Sequence, residues 1–433
     1  MSATDPLGTG PSGPTRAIVL HPDIQSDRDR RMAGPALSEA VALAAALPEL
    51  EVVGAEVVRL PKAQPGLLFG KGKIAELKAK ISESEADLVL VDGPVTPVQQ
   101  RNLEKEWGVK LLDRTGLILE IFADRARTRE GVLQVELAAL SYQRTRLVRA
   151  WTHLERQRGG LGFVGGPGET QIEADRRAID EAVTRIKRQL GKVVKTRALH
   201  RAARKKVPYP VVALVGYTNA GKSTLFNRLT GAEVLAKDML FATLDPTMRA
   251  VQLADGTDVI LSDTVGFISD LPTQLVAAFR ATLEEVLDAD LILHVRDVAH
   301  AETEEQAADV AAILADLGVN QNTSMIEIWN KIDLLPADRQ DELTVAAARR
   351  EDVVAISALT GAGLDAFLET VSAHLAPPRF AGVVELPYSA GRARAWLYDA
   401  GVVEHESQGQ DGYRFDVSWT ARQKKAFHTL LKG

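Results

Sequence analysis

Over the first quarter of the chain, short apolar runs alternate with stretches whose apolar residues recur at helical spacing. The runs at 17–20, 52–58, 88–91 and 109–112 have strand length, and 38–46, 74–82 and 98–107 carry the helical repeat. Buried strands alternating with helices predict a small parallel α/β domain over residues 16–124. The period then changes. Leu133, Leu137, Leu140, Leu147, Trp151 and Leu154 follow steps of four and three, broken at Arg144, and Ile172, Ile179, Val183, Ile186, Leu190 and Val193 repeat the rhythm. Two heptad helices joined by a short loop predict an antiparallel hairpin over 125–206. From 207 to 376 strands return at 211–215, 259–261, 325–329 and 353–356, with a helix beginning at 224. Pro377-Pro378 closes that region. Strand-like runs at 383–386, 402–406 and 413–417, with a Gln410-Asp411-Gly412 turn, predict a small α+β domain over 381–433. Residues 1–15, rich in Gly, Pro, Ser and Thr, read as a flexible N-terminus.

Composition narrows the class without deciding it. A chain of 433 residues has material for two to four domains, and 45% hydrophobic with 25% charged residues is ordinary for a folded protein. There is no cysteine, which excludes disulfides, thiol catalysis and thiolate metal sites. The start lacks a signal-peptide pattern, and no apolar run approaches the ~18 residues needed to span a bilayer. A cytoplasmic protein is the expectation, and nothing demands more than a monomer. Net charge is −6, so any contact with nucleic acid must come from a local patch.

That patch exists. Residues 141–206 carry 17 Lys and Arg against six Asp and Glu. Arg144, Arg146, Arg149, Arg156, Arg158, Arg185, Lys187, Arg188, Lys192 and Lys195 are its densest part and the candidate RNA contacts. Solvated coiled-coil faces usually mix signs, so RNA or another polyanion is the favoured partner. Trp151, Phe163 and Tyr142 are few for base stacking, which points to phosphate and shape contact. The tip between the helices, 158–169, holds six glycines, more than a reversal of direction needs. In the first domain, Gly70-Lys71-Gly72-Lys73 is a solvated turn in the favoured reading and an anion site in the other.

The chemistry lies in the third region. Gly216-Tyr217-Thr218-Asn219-Ala220-Gly221-Lys222-Ser223 follows an apolar strand and precedes a helix, the context that makes G-x-x-x-x-G-K-[ST] a phosphate loop. Its backbone N–H groups would face phosphates, Lys222 would reach the β- and γ-phosphates, and Ser223 would hold Mg²⁺. Phe241-Ala242-Thr243-Leu244-Asp245 is the candidate switch loop. Thr243 is the chosen Mg²⁺ contact and Thr247 the fallback. Asp263-Thr264-Val265-Gly266 supplies a strand-end carboxylate for Mg²⁺ through water and a glycine N–H that senses the γ-phosphate. Asn330-Lys331-Ile332-Asp333 names the base, because the Asp333 carboxylate can accept from guanine N1–H and the exocyclic amine. Adenine would leave it unpaired, a discrimination of roughly four to five orders of magnitude. Asn330 would tie this loop to the phosphate loop, the Lys331 stem would cover the base, and Ser357-Ala358-Leu359 would bring the Ala358 N–H to guanine O6. The nucleotide expected is GTP.

In Ras-like switches a glutamine after Asp-x-x-Gly orients the attacking water. Phe267 stands there instead and cannot bond water, so the catalytic group is unassigned and intrinsic hydrolysis is expected to be slow until a partner completes the site. Asn219 is either a ligand for K⁺ or a loop-stabilising asparagine. The fold expected is α/β: a Ras-like P-loop GTPase domain preceded by a small parallel α/β domain and a basic helical hairpin, and followed by a small α+β domain.

Taken together, these residues closely resemble the HflX GTPases, a ribosome-associated family of the translation-factor class. Blocks outside the nucleotide motifs carry the likeness: Gln99-Gln100-Arg101-Asn102-Leu103-Glu104, Asp113-Arg114-Thr115, the stretch 121–131, Leu133-Gln134-Val135-Glu136-Leu137 and Gly166-Pro167-Gly168-Glu169-Thr170-Gln171. The resemblance covers roughly 35–375. It implies binding to the large ribosomal subunit and its rRNA through the hairpin, stimulation of hydrolysis by the ribosome, and splitting or rescue of stalled ribosomes. The tip departs from the family pattern, with Val164-Gly165 before Gly166 and no arginine, so exact tip contacts do not carry over. Two competing readings remain: a passive 50S silencing or assembly factor with little functional hydrolysis, and a GTPase of tRNA modification, which would need catalytic residues not seen here.

Overall fold

The computed structural model describes residues 13–27, 31–157, 167–204, 209–232, 240–241, 243–244, 247–253, 255–269, 286–319, 323–376 and 379–432. Side chains are described outside 147–172, 194, 196–204 and 432. Contacts divide the chain into two compact units, with the break after Val371.

The first sheet is built from β1 (Thr15–Ile24), β2 (Leu50–Leu60), β3 (Leu88–Val91) and β4 (Lys110–Asp113), in the order β2-β1-β3-β4 and parallel throughout. Helices α1 (Ala33–Ala45), α2 (Lys71–Glu83), α3 (Pro97–Trp107) and α4 (Arg114–Arg125) connect and extend it. All four residues of β3 are buried, as its unbroken Leu-Val-Leu-Val run requires of a central strand. A Thr96/Gln99 capping box starts α3 and left-handed Gly108 stops it. The Gly70–Lys73 segment is the start of a helix, not a solvated turn. Gly70 is the N-cap of α2, and Lys73 is consumed by ion pairs with Glu56 and Glu76.

Helices α5 (Arg129–Gln157) and α6 (Pro167–Arg204) form the expected hairpin. At 1.5 Å per residue α5 is about 40 Å long. Its root carries a second apolar face that the heptad reading did not separate. Val135 and Ala138 are buried in one cluster with Leu117, Ile118, Ile121 and Phe122 of α4.

The second sheet runs β10-β9-β8-β5-β7-β6. Its strands are β5 (Val211–Gly216), β6 (Thr247–Gln252), β7 (Asp258–Asp263), β8 (Leu291–Asp297), β9 (Ser324–Asn330) and β10 (Val353–Ala355), with only β6 antiparallel. Its helices are α7 (Lys222–Thr230), α8 (Thr303–Leu317), α9 (Ala337–Ala347) and α10 (Leu364–Leu375). The two sheets share one apolar cluster, which joins Val19, Leu43 and Phe122 to Val215, Val265, Phe267 and Leu314. The smaller unit pairs β11 (Arg379–Pro387), β13 (Gly412–Thr420) and β12 (Val403–Gln408) in an antiparallel sheet. It carries α11 (Gly391–Asp399) and α12 (Ala421–Lys432) on a core of Leu386, Leu397, Phe415 and Phe427.

Candidate nucleotide site and basic hairpin

Three loops at the carboxyl ends of β5, β7 and β9 converge, as expected of a doubly wound sheet. The phosphate loop turns after β5 with Asn219 at φ +60° and Gly221 at φ +96°. A Cβ on Gly221 would lie 2.2 Å from Asn330 Nδ2, so this close approach demands glycine. Asn330 donates to the Ala220 carbonyl at 2.7 Å, which ties the base loop to the phosphate loop as anticipated. Its Oδ1 accepts the Ala358 N–H at 2.9 Å. That amide, expected on guanine O6, is therefore engaged within the protein: a buried asparagine carbonyl needs a donor. Arg228 on α7 holds the same loop, donating to the carbonyls of Leu359 and Thr360 at 2.7 and 2.9 Å.

The metal-binding candidates come together. Ser223 and Thr243 hydroxyls each donate to Asp263 Oδ2 at 2.8 Å and lie 2.9 Å apart. Thr247 instead opens β6, opposite Asp263 in the strand register. Asp263 Oδ1 is buried with no hydrogen-bond partner among the described residues. Two hydroxyls and a carboxylate with a vacant acceptor form an all-oxygen set suited to Mg²⁺. Burial pushes the Asp263 carboxyl above its usual range, opposed by nearby Lys222. Lys222 is itself buried, which lowers its pKa to about 8, and donates to the Gly216 and Tyr217 carbonyls at 3.0 and 2.7 Å.

Of the other buried polar atoms without a hydrogen-bond partner among the described residues, two lie in these loops, Thr218 Oγ1 in the phosphate loop and Asp333 Oδ1 in the base loop. Buried acceptors without partners cost about 1–3 kcal/mol each, so they persist where a ligand completes them. Lys331 takes φ +67° and pairs with Asp297 at 2.8 Å. Gly266 packs on the phosphate loop so closely that a Cβ would lie 2.8 Å from Thr218 Cα and 3.0 Å from Lys222 Nζ. Thr264 donates to the Leu214 carbonyl at 2.6 Å, while Val265 and Ile332 are buried. Phe267 is buried too, its backbone bonded to Gly216 and Thr218, so its ring is in the core and does not face water. Ala242 and Asp245 lie outside the described residues.

Sequence reasoning missed what lies behind the loop. The Tyr217 hydroxyl donates to Glu39 on α1 and accepts from the Ser269 N–H at 2.8 Å. Arg114, 5% exposed, reaches Glu39 and Asp92, both at 2.6 Å, and the Ser269 carbonyl at 2.9 Å. Despite the burial that opposes its charge, Asp92 and Glu39 hold the Arg114 pKa above its ordinary value. Phe241, in the switch loop at φ +56°, packs edge-to-face on Phe122 with centroids 4.7 Å apart. One sequence signal was available, the charged Asp113-Arg114 pair between two apolar runs.

On the hairpin, Arg185, Lys187, Arg188, Lys192 and Lys195 are exposed on α6. Arg144 pairs with Asp180 at 2.8 Å. Arg146 is turned inward, to Asp113 at 2.7 Å and to Gln100, over the Tyr142 ring. Arg158, within the glycine-rich stretch 158–166, lies outside the described residues, as do the side chains of Arg149 and Arg156.

Comparison with known proteins decides the family. Residues 35–123 and 125–204 match the families described as GTP-binding GTPase N-terminal and GTP-binding GTPase Middle Region. Residues 211–331 match 50S ribosome-binding GTPase, and 342–431 match the HflX C-terminal domain. The chain is 51% identical to the GTPase HflX of Magnetococcus marinus, over 92% of this chain and 91% of that one. It belongs to the HflX GTPase family. The GTPase HflX of Escherichia coli K12 is 42% identical over 92% of this chain and 91% of its own. A solved complex described as SsGBP and GDP aligns at 24% identity and a TM-score of 0.49, covering 83% of this chain and 98% of that one. As an HflX GTPase the chain binds and hydrolyses GTP. Among the described residues no helix is long and apolar enough to cross a membrane.

Proposed function

We propose that this HflX-family chain is an Mg²⁺-dependent GTPase that engages the large ribosomal subunit through its basic hairpin. In this reading, GTP state governs a role in ribosome splitting, rescue or assembly, and the ribosome stimulates hydrolysis. The observation that carries the nucleotide half is the set of buried, unpaired acceptors at Asp263 and Asp333, one beside the phosphate loop and one in the base loop. Ser223, Thr243 and Asp263 would hold Mg²⁺, which neutralises charge on the transferring phosphate. Gly216 to Ser223 would cradle the phosphates, Gly266 would sense the γ-phosphate, and Asp333 would select guanine. Buried Phe267 cannot place water, which supports dependence on a partner.

The ribosomal half rests on the exposed cations of α6 and on the description of the matched GTPase family as ribosome-binding. Sedimentation with separated subunits, in GTP-like and GDP states, tests it. Binding to the large subunit should fall when Arg185, Lys187 and Arg188 are all changed to Glu. Unchanged binding of that variant at low and moderate salt would remove the hairpin as the contact. The passive-binder reading draws on the same Phe267, and single-turnover hydrolysis unaffected by ribosomes would favour it. For Asn219, exposed in a left-handed conformation, equal turnover in K⁺ and Na⁺ would leave only the loop-stabilising role.

A further inference from the structure

Adjacent residues Asp113 and Arg114, at the junction of β4 and α4, face two different parts of the molecule. Arg114 holds Ser269, three residues beyond Gly266, by its backbone carbonyl. The intervening chain is pinned to the phosphate loop: the Phe267 N–H donates to the Gly216 carbonyl at 3.1 Å and the Thr218 N–H to the Phe267 carbonyl at 2.6 Å. Ser269 Oγ continues to Asp309 on α8 at 2.7 Å. Asp113 faces the root of the hairpin. It accepts from the Tyr142 hydroxyl at 2.5 Å and from Arg146 at 2.7 Å, both on α5, while capping α4 through the Gly116 N–H.

We propose that Asp113 and Arg114 are positioning residues that couple the nucleotide-sensing segment at Ser269 to the attachment of the basic hairpin. The proposal rests on the assignment of Gly266 as the γ-phosphate sensor. A shift of Gly266 on γ-phosphate binding displaces Ser269. Arg114, buried and bound to two carboxylates, then either loses its carbonyl acceptor or moves with it. Its peptide neighbour Asp113 carries the change to Tyr142 and Arg146. Packed Phe241 and Phe122 give the switch loop a second hold on α4. Buried, hydrogen-bonded networks of this kind favour a few discrete arrangements over a graded response, as a switch requires.

Hydrogen exchange on the full-length chain, loaded with GDP or with a non-hydrolysable GTP analogue, tests this without ribosomes. Amides of α5 between 129 and 146 should exchange at rates differing by about fivefold or more between the two states. In Arg114→Lys, which keeps the charge and loses the fork, and in Tyr142→Phe, which removes one hydroxyl, that difference should collapse while both nucleotides still bind. A merely structural role would alter protection equally in both states. Equal exchange in the unmodified protein, or a difference surviving in either variant, would overturn the coupling. If Arg114→Lys does not fold, Tyr142→Phe decides. Failure of the unmodified protein to bind either nucleotide would overturn the site assignment together with the coupling.

Discussion

At the carboxyl ends of β3 and β4, every carboxylate oxygen of Asp92 and Asp113 is paired, Asp92 with His21 and Arg114 and Asp113 with Tyr142 and Arg146. At the carboxyl ends of β7 and β9, one oxygen of Asp263 and one of Asp333 are buried without a hydrogen-bond partner among the described residues, and Thr218 after β5 shares that state. Both sheets are doubly wound, and both place acids where such folds bind ligands. The difference lies in satisfaction. His21, Arg114, Tyr142 and Arg146 close these two acids, so Asp92 and Asp113 are structural. The second has left acceptors open, so its acids await a ligand.

Exchanging the open and closed character of these residues breaks the comparison, and the largest effect is expected at Asp333. Asp333→Asn removes the acceptor for two guanine donors and offers an amide to a base bearing a carbonyl instead. GTP affinity should fall by roughly three to four orders of magnitude, with xanthosine triphosphate preferred, measured by calorimetric titration. Retained guanine preference would remove Asp333 as the base reader. Arg114→Met leaves Glu39 and Asp92 buried with less compensation and should lower unfolding stability by about 3–5 kcal/mol in urea titration. A loss under 1 kcal/mol would mean the closed edge contributes little.

Lys222 sharpens the comparison through pH. Burial sets its pKa at about 8 in the nucleotide-free protein, and phosphate favours the charged form. Below pH 8 the lysine is already protonated and GDP affinity should be flat. Above it binding must take up a proton, so affinity should fall by up to about tenfold per pH unit. A flat profile to pH 9.5 would contradict that state of Lys222. Smallest is Thr218→Val in the nucleotide-free protein, which removes an unpaired hydroxyl. Stability should stay within about 1 kcal/mol or rise. A larger loss would show that Thr218 is paired after all.

Much of this was legible because the nucleotide loops are local. Eight consecutive residues set the phosphate loop, and Asn330 to Asp333 set the base loop, each after an apolar strand. The bond of the Ala358 amide to Asn330 was not legible, because its acceptor is 28 residues away. Arg146 was read as one of many basic residues, since nothing local says that Asp113 waits 33 residues earlier. In the network of Glu39, Arg114, Tyr217 and Ser269 a single hydrogen bond joins residues 178 apart, and only folding places its members together. Helical period gave the hairpin, but the root of α5 also packs Val135 and Ala138 on α4, and a single heptad reading follows one face.

The most direct test of a ribosome-coupled GTPase is multiple-turnover GTP hydrolysis by the full-length chain, with and without purified large ribosomal subunits. Turnover should be slow alone and rise by about 10³-fold or more with the subunit, as expected when a partner completes such a site, with no rise for ATP. A GTPase rate unchanged by the large subunit, under conditions where the two co-sediment, would contradict it.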